Sequence, residues 1–242
     1  MLDRRSPSTH VAFQTRLMGE LGYRVAAGAR VLDFGCGDGV LVQAYREAGF
    51  QAYGCDIVLP EETPVLRLIE TPYRLPFADA SFAAVFSDQV FEHVQDYGAA
   101  LREIRRVLAP GGISFHVFPG RWRPLEPHTS IPLGTVIRAK RWLQLWTALG
   151  VRNEHQRGKG AAEVAAIYHR YLREATAYHS RRRILLEAAP LFAEVRFVER
   201  EMMRVAGGRA SRLSRALGEP RWLARLYSDL RSRALFLVRG SA

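Results

Sequence analysis

The sequence predicts an α/β fold: a seven-stranded, mostly parallel sheet with helices on both faces and its last strand antiparallel. Three observations lead there. The apolar run Val31-Leu32 ends at Asp33 and runs into glycines at alternate positions, Gly35, Gly37 and Gly39, before a helical pattern begins at Val40. Short apolar runs then alternate with helical patterns as far as residue 118, the mark of parallel strands joined by right-handed crossovers. The run Phe82–Ser87 is apolar up to its last residue, as a strand covered on both faces should be.

Each element follows from local pattern. Residues 8–21 place Val11, Leu17, Met18 and Leu21 on one side of a helix that Ser8 or Thr9 can cap. The first strand is Arg30–Phe34 and the next helix Val40–Ala48, stopped by Gly49. Gln51–Ile57 is the second strand, with Asp56 near its end, and Val65–Ile69 a short third. After the fourth strand, Phe82–Ser87, Ala99–Leu108 reads as a helix broken by Pro110-Gly111-Gly112, and Ile113–Phe118 as the fifth strand. Pro119–Pro132 has no periodicity and reads as a surface loop. Val136–Leu149 reads as a helix with Trp142 and Trp146 on one face, and Arg152–Gly160 as a polar connection. A long helix is expected over Ala161–Ala188 and a strand over Phe192–Arg200. Helical segments follow from Gly207-Gly208 and from Arg221 to Arg233, then a last strand, Ala234–Val238. The two late strands extend the same sheet, one of them antiparallel. The whole chain, 1–242, is read as one domain with an N-terminal helix at about 8–21 and an insertion at about 119–160.

Composition sets bounds. The 242 residues are 48% hydrophobic, enough for one sizeable core. Met1–Gln14 is polar, no apolar run is long enough for a bilayer, and the two cysteines, Cys36 and Cys55, argue against a disulfide framework; together these predict a cytoplasmic protein. No Cys/His group has zinc spacing, so no metal is expected. The net charge of +11 is dispersed and reads as solvated basic surface, with one local cluster at Arg121, Arg123, Arg138, Lys140 and Arg141 suited to an anionic acceptor.

The glycine turn carries the chemistry. Dinucleotide sites need G-x-G-x-x-G, and position 40 is Val. A pyrophosphate favours N–H donors and disfavours a neighbouring carboxylate, whereas Asp33 suits an amine or a sulfonium. S-adenosylmethionine bears both and no phosphate. Asp56, at the end of the second strand, stands where a carboxylate accepts hydrogen bonds from ribose hydroxyls.

Taken together, four segments resemble the class I S-adenosylmethionine-dependent methyltransferases of the broad small-molecule group: Val31–Gly39, Asp56, Leu75–Phe82 and Leu108–Gly112. The resemblance covers roughly residues 25–120 and implies a Rossmann-like sheet. It implies that Asp33, Gly35, Cys36, Gly37 and Gly39 hold the methionine part of the cofactor, that Asp56 holds the ribose, that Ile57 packs on the adenine, and that Ser87 or Asp88 lies near the sulfonium. One departure stands out: where the family often carries an acid for the adenine amino group, this chain has Thr71-Pro72, leaving the Thr71 hydroxyl as acceptor.

Two histidines are candidate bases for a hydroxyl acceptor. His93 lies in Glu92-His93-Val94-Gln95-Asp96, the family's E-H-x-x-D arrangement. His128, in Glu126-Pro127-His128, follows the fifth strand where the acceptor site of this fold lies, with Glu126 placed to orient it. His116, inside the fifth strand, reads as a core histidine. Trp122, Trp142 and Trp146 read as packing residues before an aromatic lid. The expected reaction is methyl transfer to a small-molecule, sugar or lipid-linked acceptor, at oxygen, with peripheral membrane contact open and no nucleic acid partner. C-methylation of a quinone-like ring, and a non-catalytic S-adenosylmethionine-binding module, are the alternatives.

Overall fold

The computed structural model describes residues 6–241; Met1–Arg5, part of the polar start read above, lie outside them. In chain order the elements are α1 (Pro7–Glu20), β1 (Arg30–Phe34), α2 (Val40–Glu47), β2 (Gln51–Asp56), β3 (Leu66–Leu68), β4 (Phe82–Asp88), α3 (Tyr97–Val107), β5 (Leu108–Pro119), α4 (Lys140–Ala148), α5 (Ala161–Glu174), α6 (Arg181–Ala188), β6 (Glu194–Phe197), α7 (Glu199–Ala206), α8 (Gly208–Ala216), α9 (Arg221–Leu230) and β7 (Ser232–Val238), with 3-10 turns at Phe91–His93 and Glu154–Gln156.

The seven strands form one sheet in the order β3-β2-β1-β4-β5-β7-β6. Only β7 runs against the others: it pairs antiparallel with both β5 and β6, while the remaining pairs are parallel. The chain reverses direction between β1 and β4, and ligands of open α/β sheets bind in the crevice outside the carboxyl ends at such a reversal.

Alternation along the strands divides the interior in two. Leu32, Phe34, Phe82, Val85 and Phe118 face a core closed by α3 and α6. Val31, Ala84, Phe86, Phe115 and Phe236 face a second core closed by α1, α2 and α7. Successive strand side chains point to opposite faces, so Asp33 and Asp88 fall on the α1/α2 side and Ser87 on the α3/α6 side. A third cluster, Ile131, Leu143, Val164, Tyr168 and Leu172, lies between α4 and α5 away from the sheet.

Four sequence expectations are corrected. The helix expected over 161–188 is two, α5 and α6. Between them Ala177 donates its N–H to the Glu92 carbonyl at 2.6 Å, and Tyr178 donates its hydroxyl to Glu126 at 2.7 Å. The Ser180 hydroxyl restarts the helix by accepting from Arg183 N–H. The strand expected over 192–200 ends at Phe197, because Glu199 opens α7 and turns its carboxylate inward. The helix expected from Val136 begins at Lys140, the N–H groups of Val136 and Ile137 bonding back to Leu133 instead. And β5 begins at Leu108, so Pro110-Gly111-Gly112 lies within the strand as an irregularity.

Candidate active site

The site grows from the carboxyl ends of β1, β2 and β4. Gly35, directly after β1, has φ of 79°, and a Cβ there would meet Val90 Cγ2 at 2.3 Å. Gly39, with φ of 81°, would meet Leu66 at 2.7 Å. These glycines are therefore required twice over, by left-handed backbone and by neighbouring side chains. Gly37 N–H donates to Asp56 Oδ2 at 2.8 Å, and Ile57 N–H to Asp56 Oδ1 at 2.7 Å, so one carboxylate ties the glycine turn to the end of β2. Oδ1 also accepts Val58 N–H at 3.3 Å, so it is Oδ2 that keeps a further lone pair for a ligand.

A cavity of about 530 Å³ opens beside this junction, walled by Gly35, Asp56, Ile57, Tyr73, Gln89 and His93 among others. Ile57 is 69% exposed at its edge, an apolar surface open to a flat ring. Tyr73, also in the wall, is fixed by its hydroxyl, which accepts the N–H groups of Gln95 and Asp96.

The remaining expected residues divide. Asp33 is buried on the α1/α2 side; burial, and then the charges of Asp88 and Asp56, push its carboxyl up to about 7. Asp88 is 3.7 Å from His10 of α1. Cys36 turns its thiol into the core beside Gly54, and burial pushes that thiol up to about 12. Only the backbone of Cys36 is therefore suited to a ligand. Ser87 is locked below the surface, its hydroxyl 2.7 Å from His116 Nδ1, while Ser114 holds Nε2 of the same ring. His116 is thus a core histidine, held by burial at about 3. β4 runs one residue beyond expectation, and it is Gln89 and Val90, unmarked in the sequence, that reach the cavity. Thr71 lines a neighbouring surface groove with Arg67 and Arg74 and does not reach the cavity; Glu70 and Pro72 do.

His93 and His128 come together although 35 positions separate them in the chain: their rings lie 4.9 Å apart. His93 Nδ1 is 2.8 Å from the Ala175 carbonyl. Glu126 does not orient the His128 ring. Its Oε2 accepts the backbone N–H groups of His128 and Thr129 and the Thr129 hydroxyl, and its Oε1 accepts Tyr178. Glu126 shapes the loop, and burial holds the His128 imidazole below its ordinary value. Trp142 donates to the Pro132 carbonyl and packs edge-on against Trp146 at 5.7 Å, so this pair builds the α4–α5 cluster and is no lid. Asp96, the last residue of the E-H-x-x-D arrangement, caps α3 by accepting Ala99 N–H at 2.9 Å.

A family model described as a methyltransferase domain matches residues 11–171. The ubiquinone biosynthesis O-methyltransferase of Xanthomonas oryzae pv. oryzae (strain PXO99A) is 37% identical over 102 residues, 37% of this chain and 42% of that protein. The malonyl-[acyl-carrier protein] O-methyltransferase of Pseudescherichia vulneris is 34% identical over 107 residues, 40% of each chain. The chain thus spans less than half the length of these curated relatives. Among solved structures, an S-adenosylmethionine-dependent methyltransferase from Mesorhizobium loti superposes with a TM-score of 0.54 at 13% identity, over 99% of this chain and 100% of that one, a likeness of fold. The family match takes in most of α1, the glycine turn, both acid-bearing strand ends and the loop after β5. The chain belongs to the family of class I S-adenosylmethionine-dependent methyltransferases.

Proposed function

We propose that this chain transfers a methyl group from S-adenosylmethionine to an oxygen of a small-molecule acceptor, including sugar- or lipid-linked ones. The observation that carries the reading is the Asp56 junction. A carboxylate held by Gly37 and Ile57 N–H groups stands on the cavity wall beside exposed Ile57, which fits a ribose diol next to a flat apolar base. Among the described residues no cation lowers the carboxyl of buried Asp33, which fits a ligand that brings its own positive charge. When bound, the cofactor supplies both the methyl group and its leaving group: the C–S bond breaks as the bond to the acceptor forms, leaving a neutral thioether.

The chain's own residues bind, orient and exclude water. Asp56, Ile57, Gln89, Glu70 and the Gly35–Gly39 turn position the nucleoside, Asp33 and Asp88 the methionine end, and His93 and His128 face the acceptor from the loops beyond β4 and β5. Holding two reactants in one geometry contributes roughly 7–11 kcal/mol to such a transfer. The choice of oxygen is supported by the names of the two curated relatives, both O-methyltransferases. Peripheral contact with anionic lipid belongs to the same proposal: on α8 and α9, Leu213, Trp222, Leu226 and Leu230 are exposed beside Arg215, Arg221 and Arg225.

Transfer of labelled methyl from the cofactor to a panel of phenols, sugars, carboxylic acids and lipids tests the activity. Silence across the panel with cofactor affinity intact would favour a non-catalytic binding module. For the pocket itself, Asp56→Ala is expected to weaken S-adenosylhomocysteine binding by about 1–3 kcal/mol through loss of charged hydrogen bonds. Unchanged affinity by calorimetry would remove Asp56 from the site.

A further inference from the structure

We propose that Glu92, His93 and His128 form a site for one divalent transition-metal ion of the zinc class, with open coordination facing the cavity. One donor atom of each lies within 4.8 Å of the others. Glu92 is fully buried, and among the described residues its carboxylate oxygens have no hydrogen-bond partner beyond Glu92's own backbone N–H. A buried carboxyl left without partners is costly, and folded chains keep such a group where something else satisfies it. His128 Nε2 is likewise buried and unpartnered.

His93 is prepared from the other side. Its Nδ1 faces the Ala175 carbonyl at 2.8 Å, and a carbonyl only accepts, so Nδ1 carries the hydrogen and Nε2 the lone pair. A backbone carbonyl fixing the tautomer in this way is the usual outer support of a metal-ligating histidine. Glu126 is not a ligand: four donors occupy its two oxygens, and its clamp on the 126–129 loop sets the position of His128. The charges facing the cluster are Glu126 and Asp88 on the negative side and Arg123 on the positive.

Two imidazoles and one carboxylate suit zinc, cobalt or iron(II) better than magnesium or calcium, which prefer all-oxygen shells. Tetrahedral zinc at about 2.1 Å from each ligand would bring the donors to about 3.4 Å apart, a closure of at most about 1.4 Å from the 4.8 Å within which they lie. Three protein ligands leave a fourth position open, and His93 stands on the cavity wall. In this respect the inference deepens the methyl-transfer reading and rests on it. The open position takes the acceptor hydroxyl, whose proton is lost to solvent as the metal lowers its pKa. The metal-held oxygen then forms its bond to the methyl carbon while the sulfonium sulfur takes the C–S electron pair.

The test is titration of metal-stripped protein with Co²⁺, followed by visible absorption, and with Zn²⁺ by calorimetry, alongside Glu92→Gln, His93→Gln and His128→Asn. His155→Asn, at an exposed histidine outside the cluster, is the control. One ion per chain is expected, with affinity at least tenfold weaker in each cluster variant and unchanged in the control. Absence of binding in the parent protein, or binding in the three variants equal to the parent, overturns the site. His93 is partly exposed, so its variant keeps the test open if loss of Glu92 prevents folding. S-adenosylhomocysteine affinity, measured on the same samples, is expected to survive in the Glu92→Gln and His128→Asn variants. Its loss in the parent protein would defeat the cofactor reading, a failure separate from that of the metal site.

Discussion

A methyl group at Gly35 would fall 2.3 Å from a methyl of Val90, and the backbone there is left-handed at φ 79°. Gly35→Ala therefore meets two penalties, about 1–2 kcal/mol for the conformation and a further 1–3 for overpacking. Denaturant melts of Gly35→Ala should show the sum, and the double variant Gly35→Ala/Val90→Ala should recover the steric part alone.

Asp33 adds a pH dependence at the same scale. Its folded carboxyl sits at about 7, above the ordinary value of 3.8, because burial and two neighbouring carboxylates disfavour the charge. A group raised in this direction favours the fold at pH below 4 and progressively less as pH climbs to 7. Asp33→Asn should accordingly raise the melting temperature above pH 7 and leave it little changed near pH 4, while weakening cofactor binding. His116 works on the acid side: held neutral by burial at about 3, it supports the fold above pH 6.5 and opposes it progressively as pH falls below that. His116→Gln should flatten the acid limb of the stability profile, read from melts between pH 4 and 7.

Among the elements, Asp96 separates cap from chemistry. It stands within a motif associated with function, yet its carboxylate accepts Ala99 N–H at the start of α3. Asp96→Ala should cost about 0.5–2 kcal/mol of stability, with methyl transfer per folded molecule unchanged. β1, α2 and β2 are legible in the sequence to within a residue or two, because glycine punctuation and apolar runs are local signals. The break between α5 and α6 is not, because it lies in tertiary bonds, Ala177 to Glu92 and Tyr178 to Glu126, that helical periodicity does not register. The boundary between β6 and α7 is hidden for the same reason, since the inward turn of Glu199 has its partner on α6. In the site, the glycine turn and Asp56 were legible by spacing. Gln89 was not, because it depends on β4 running one residue further, and Glu92 with His128 was not, because two loops distant in sequence meet only in the fold.

For the molecule as a whole, Glu199 is the tie that holds the carboxyl-terminal half to the sheet. Its buried carboxylate pairs with Arg181 of α6 at 3.2 Å, accepts the Ser228 hydroxyl of α9 at 2.8 Å and the Ala234 N–H of β7 at 3.2 Å. Glu199→Ala leaves the Arg181 guanidinium, itself 18% exposed, without its counter-charge. Loss of about 3–5 kcal/mol is expected, since removing one partner strands the other in low dielectric. At the same scale, no helix among the described residues is long and apolar enough to cross a membrane. The proposed lipid contact is then a surface one. Sedimentation with anionic vesicles should exceed that with neutral vesicles and fall with added salt, and Trp222→Ala should reduce it.

The α4–α5 pair has consequences of its own. Because Leu143, Val164, Tyr168 and Leu172 satisfy one another and leave the sheet alone, selection can rewrite this cap while the cofactor platform beneath stays as it is. Under the proposed function, a graft of residues 133–174 from a relative with a different acceptor should carry the acceptor preference with it and leave cofactor affinity as it was.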